Sequence, residues 1–189
     1  MHKFIHRNLV PGAHQLHGLH YFDMKRAAVI GDGIYCTIDH GRRILKYDFI
    51  VHRLSLIGMP YLYQNDPVLM QNEDGSLGIA SMLGSGLHLW STMVNAEGIT
   101  GWVNQRVIKL KEILPVGVYS VKANVIGFAD GVEVFFISTD VGAFTFELKS
   151  GRVKNVGECR GYCGITPFIS FFTPGTFSAL CFPFSDPVV

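Results

Sequence analysis

Apolar and polar positions alternate most clearly between Val125 and Lys154. There Phe144, Phe146 and Leu148 interleave with Thr145, Glu147 and Lys149. A period of two sends successive side chains to opposite sides of an extended chain, so this stretch predicts a strand with one buried face. Just upstream, Asp130-Gly131 separates two runs rich in Val, Ile and Phe, a strong short-range pattern for a hairpin turn. Further turns at Thr139-Asp140-Val141-Gly142 and Ser150-Gly151, followed by Val153 to Val156, complete a meander of four short strands.

The same unit is expected twice more. In the first repeat Ala27 to Ile30 leads to Asp32-Gly33, Ile34 to Ile38, a turn at Asp39-His40-Gly41, the strand Ile44 to Phe49, and Leu54 to Ile57. In the second, Pro67 to Met70 leads to Asp74-Gly75, Leu77 to Met82, a turn at Gly84-Ser85-Gly86, then Leu87 to Trp90 and Trp102 to Leu110. The Asp-Gly pairs are spaced by 42 and 56 residues, and the middle of the third strand follows each Asp at a nearly constant distance: Tyr47 by 15 residues, Trp90 and Phe146 by 16. The extra length before the third pair falls in Lys111 to Asn124, where Leu114-Pro115-Val116-Gly117 reads as a loop between repeats.

A repeat of four short strands every ~40–50 residues predicts β-propeller blades. A β-sandwich also uses short strands, but has no reason to restart the same turn pattern. The expected fold is therefore all-β: a partial β-propeller of about three four-stranded antiparallel blades plus part of another. It spans 27–173, with repeats at about 27–59, 67–114 and 124–158 and the start of another at 159–173. Residues 1–26 read as an irregular leader and 174–189 as an irregular tail. Closed propellers have ~4–8 blades. Three leave faces and end strands unpaired, and self-association through open blade edges is expected.

Composition narrows the function. With 48% hydrophobic, 12% aromatic and 16% charged residues, the chain can bury a core and is not a disordered segment. A net charge of +1, with no basic run longer than Arg42-Arg43, speaks against nucleic-acid binding. Residues 161–185 lack Asp, Glu, Lys and Arg, but Pro167, Pro174, Gly175 and Pro183 interrupt them, so no membrane span is expected. The first residues do not read as a secretory leader, so a reducing compartment, cytoplasmic or nuclear, is expected for the four cysteines.

Chemistry-bearing residues are scattered. His14, His17 and His20 recur every third residue, yet Asp23 is the only carboxylate near them, so a solvated leader is the simpler reading than a metal site. Cys159 and Cys163 could form half of a zinc site, with Cys181 the one later thiol, but no second pair is near in sequence. Gly31-Asp32-Gly33 lacks the following lysine and helix of a phosphate loop. Gly84-Ser85-Gly86 lacks the context of a nucleophile elbow. His52 and His88 lie on or beside strands and could act as bases, and each is read instead as a satisfied strand histidine. Asp74 and Asp130 occupy turns, where carboxylates bond the local backbone; Glu73 beside Asp74 makes no acid–base pair. Tyr47, Trp90 and Phe146 recur at one blade position, as a ligand-stacking set or, more simply, as packing between blades. Catalytic residues, metal and cofactor are therefore all expected to be none.

The segments GDGIYCTIDHGRRILKYDF, EDGSLGIASMLGSGLHLWS, GWVNQRVIKLKEILP and VIGFADGVEVFFISTDVGAFTFELKSGRVKNVGE resemble the F-box-associated, kelch-like β-propeller of plant F-box proteins. The likeness covers roughly residues 28–173 in the family's order. It implies a propeller that captures a protein for a Skp–cullin–F-box ubiquitin ligase, while an N-terminal F-box holds the Skp-type adaptor. No F-box is expected here, since 1–26 is shorter than that helical module, and adaptor binding is not expected either.

The resulting reading is a non-enzymatic protein-interaction module resembling the substrate-recognition propeller of F-box proteins, truncated and unable to bind the adaptor. Its target would be held by exposed connections, Gly58 to Asp66 and Thr92 to Gly101, with Tyr61, Tyr63, Gln64 and Asn65 as candidate contact residues. The alternatives are a truncated product without independent function and a propeller enzyme acting on a small molecule or carbohydrate.

Overall fold

A computed structural model describes residues 27–60, 67–94, 100–114 and 123–157, together with the backbone of 162–169 and 177–183. The chain divides into two compact units, Met1–Ile108 and Lys109–Val189.

The first unit holds two four-stranded antiparallel sheets. One contains β1 (Ala28–Ile30), β2 (Gly33–Ile38), β3 (Arg43–Asp48) and β4 (Arg53–Gly58) in that order; the other contains β5 (Val68–Gln71), β6 (Leu77–Leu83), β7 (Gly86–Val94) and β8 (Thr100–Lys109). The second unit opens with a single helical turn, α1 (Leu110–Ile113). A third four-stranded sheet follows, of β9 (Asn124–Ala129), β10 (Val134–Thr139), β11 (Gly142–Glu147) and β12 (Val153–Gly157). All three sheets are simple meanders, because every connection within them is short enough to join neighbouring antiparallel strands. The all-β class and the three four-stranded sheets expected from the alternation are present.

The alternation holds in β11, where Phe144 and Phe146 are buried and Thr145 and Glu147 half-buried. The strand ends at Glu147, however, and leaves Leu148 and Lys149, expected in it, to the following turn; β10 is buried on both faces from Val134 to Ile137. In β10, Phe135 and Ile137 are fully buried, and opposite them on β11 lie Phe146 and Phe144. Tyr47, Trp90 and Phe146 fall in β3, β7 and β11, each the third strand of its sheet. They pair with Ile34, Ile79 and Phe135 of the second strand. The near-constant spacing in sequence is thus a shared register in space.

The three Asp-Gly turns occupy one topological position, but their geometries differ. Gly75 takes a left-handed φ of +81° and its N–H donates to the Asn72 carbonyl at 2.9 Å. In the first sheet the turn lies one residue earlier than expected: Gly31 carries the positive φ (+52°), and Gly33 already belongs to β2. In the third, Asp130–Val132 form a 3-10 turn, and the left-handed conformation falls on Glu133 (φ 52°, ψ 48°). The longer connection moves the reversal past the glycine. The expectation of a tight two-residue Asp130-Gly131 turn is therefore corrected.

A second correction concerns the tail. Residues 177–183, expected to be irregular, form β14 (Phe177–Pro183). This strand pairs antiparallel with β13 (Tyr162–Ile169), matching Ile165 with Cys181 and Phe168 with Ser178. The final strand of the second repeat ends at Lys109, and Leu110, expected to close it, opens α1.

In the first unit the two sheets pack face to face. Ile30, Ile44 and Met59, with half-buried Ala28, Tyr35 and Ile57, meet Leu69, Leu77, Ile79, Trp90 and Trp102. The Trp102 indole Nε1 donates to the Gly58 carbonyl at 2.7 Å, so a hydrogen bond crosses between the sheets as well. The first strands are near each other, β1 beside β5, and in the second unit β9 lies beside β13. In that unit Ile126, Ala129, Val134 and Phe136 form one apolar cluster, and Phe135, Ile137, Phe144 and Phe146 are buried as well.

Candidate interaction face

Register gives each sheet an equivalent cross-strand row. In the first sheet it runs Val29, Ile34, Tyr47, Leu54 across β1 to β4. In the second it runs Leu69, Ile79, Trp90, and in the third Phe128, Phe135, Phe146, Val153. All are apolar except for the tyrosine hydroxyl and the indole N–H. Their surroundings differ sharply. Leu69, Ile79 and Trp90 are 8%, 0% and 8% exposed, and Phe128, Phe135 and Phe146 are 5%, 0% and 2%. Val29 and Leu54, by contrast, are 65% and 43% exposed, with Ile34 and Tyr47 half-buried between them.

Alternation explains why this side of the first sheet is open. The side chains of Ala28, Tyr35, Ile44 and Ile57 lie on the opposite face and cover the second sheet. The odd-even shift sends Val29, Tyr47 and Leu54 away from it. The row behind, Cys36, Leu45 and Leu56, is better covered, with Leu45 down to 8% exposure. The opening is thus confined to the end of the sheet that carries the β3–β4 turn.

That turn extends the apolar surface. Phe49, Ile50 and Val51 are 38%, 69% and 59% exposed on consecutive residues. Local hydrogen bonds fix the turn that carries them. Asp48 Oδ1 accepts from the Ile50 N–H (3.1 Å) and the Val51 N–H (3.2 Å), and its Oδ2 accepts from Lys46 Nζ (3.0 Å). The Phe49 N–H donates to the Asp32 carbonyl at 2.8 Å, tying the tip to the β1–β2 turn. The Tyr47 hydroxyl pairs with His52 Nδ1 at 2.9 Å, and the Phe49 ring stands edge-on to Tyr47, 5.9 Å between centroids. The Lys46 ammonium, then the Val51 N–H, hold the Asp48 carboxyl below its ordinary range. The tip is therefore rigid, apolar and free of any uncompensated carboxylate in its own loop.

Of the candidate chemistry, His52 is engaged by Tyr47. His88 Nδ1 faces the Asn104 side-chain amide nitrogen at 3.0 Å, and burial pushes its pKa down. Neither lies beside a nucleophile in these contacts. Asp74 caps its own turn, accepting from the Ser76 N–H at 2.8 Å. Among the described residues no group of three or more His, Cys, Asp or Glu is placed to hold a metal ion. No helix among them is long and apolar enough to cross a membrane.

The recurring aromatic position resolves into packing for Trp90 and Phe146, both buried, while Tyr47 stays half-exposed. Tyr61, Tyr63, Gln64 and Asn65, and likewise His14, His17, His20 and Cys159, lie outside the described residues. Cys163 and Cys181 lie in β13 and β14, of which only the backbone is described. The open row and the tip were missed in the sequence, although Phe49-Ile50-Val51, an apolar run where a turn should be polar, was a visible signal. Comparison with protein-family models, with curated proteins and with solved structures finds no match for this chain.

Proposed function

We propose that the chain is a non-enzymatic protein-interaction module whose sheets are blades of a partial β-propeller, similar in role to the substrate-capturing propellers of F-box proteins. The observation that carries this reading is the open row Val29–Ile34–Tyr47–Leu54 with the Phe49–Val51 tip. The equivalent rows of the other two sheets are closed. A contiguous exposed apolar surface on a rigid scaffold marks a contact site more often than not. Support for the blade reading comes from within each unit. The first strand of one sheet lies beside the first strand of the next, β1 by β5 and β9 by β13, as strands lining a propeller channel do. The pair β13–β14 then represents part of a fourth blade.

The reading places recognition on a sheet face and tip. It assigns no role to an adaptor, a nucleic acid or a membrane. The test is affinity capture from cell extract with wild-type protein and the Val29→Lys/Leu54→Lys variant, quantified by mass spectrometry, with thermal melts of both. A protein retained by the wild type and lost by a variant of unchanged Tm supports the module. Capture that survives this variant but is lost on Tyr61→Ala/Tyr63→Ala moves the contact to the loop, and no specific capture by either refutes the function.

A further inference from the structure

We draw no further inference here: the strongest candidate, the exposed apolar row of the first sheet with its Phe49–Val51 tip, belongs to the interaction face already described, and nothing in the structure shows what covers it.

Discussion

Trp102 of β8 donates its indole N–H to the carbonyl of Gly58 at the end of β4, 2.7 Å away, so a hydrogen bond joins two sheets that also share an apolar cluster. Trp90 lies in the same cluster, and its indole nitrogen is buried without a hydrogen-bond partner among the described residues. The two indoles separate packing from polar satisfaction. Trp102→Phe and Trp90→Phe each leave a comparable void, but only the first removes a hydrogen bond, the one to the half-buried Gly58 carbonyl. Trp102→Phe is expected to cost ~1–3 kcal/mol more than Trp90→Phe, measured by urea unfolding of both variants. Equal losses would mean the hydrogen bond adds nothing to the joint.

Backbone conformation supplies a second test. Gly142 opens β11 at φ +147°, and a methyl group there would meet the Gly157 carbonyl oxygen at 2.9 Å. Gly84, at φ +58°, has open space around the same position. Gly84→Ala carries only the left-handed penalty of ~1 kcal/mol, whereas Gly142→Ala must also displace β12 and is expected to lose roughly 3 kcal/mol. Chemical denaturation of the two variants checks the order.

Acid should loosen the apolar tip. The Asp48 carboxyl is held below its ordinary 3.8, first by Lys46 and then by the Val51 N–H. A depressed carboxyl stabilises the fold above its unfolded pKa, and that contribution is lost as pH falls through the folded value. The window therefore opens below about pH 4. Because Asp48 is exposed, the effect is small and weakened by salt. Asp48→Asn keeps an acceptor for the Ile50 and Val51 N–H groups while removing the titration. It is expected to flatten the Tm–pH curve below pH 4, read by differential scanning calorimetry at low ionic strength.

His88 acts at higher pH. Burial lowers its pKa from 6.5, so the folded protein binds its proton less readily than the unfolded chain does. Its stabilising contribution is full above pH 6.5 and declines as pH falls below it. His88→Gln is expected to remove that decline below pH 6.5, leaving the acid limb below pH 4 in place. An unchanged slope in this variant would assign the decline to another group.

Much of the fold is legible because β-structure is written in short-range terms. Alternation fixes which side chains share a face, and turn length fixes register. Hence the spacing from Asp32, Asp74 and Asp130 to Tyr47, Trp90 and Phe146 locates the third strands. Turn geometry is less legible: Asp130-Gly131 looks like a tight turn, yet a longer connection shifts the left-handed residue to Glu133. β14 escapes because FSALCFP is apolar without alternation and ends in proline, leaving no period to read.

The candidate site is the least legible part. Val29, Leu69 and Phe128 are interchangeable as apolar strand residues, and the sequence does not say which of them another sheet covers. That is a property of tertiary packing: the opposite face of the first sheet closes over Leu69, and nothing in the local pattern around Val29 marks it as open. Tyr47 likewise reads as one of three packing aromatics until its hydroxyl is found on His52 at 2.9 Å.

The sharpest test is thiol accessibility at the three equivalent positions. Val29→Cys, Leu69→Cys and Phe128→Cys would be treated with a water-soluble alkylating reagent in dilute solution, with labelling at each site followed by peptide mass mapping. Rapid modification of Val29→Cys, with Leu69→Cys and Phe128→Cys protected at least a hundredfold, is the expected result. Equal protection at all three, or equal reactivity at all three, would contradict the account of one open row among three matching ones.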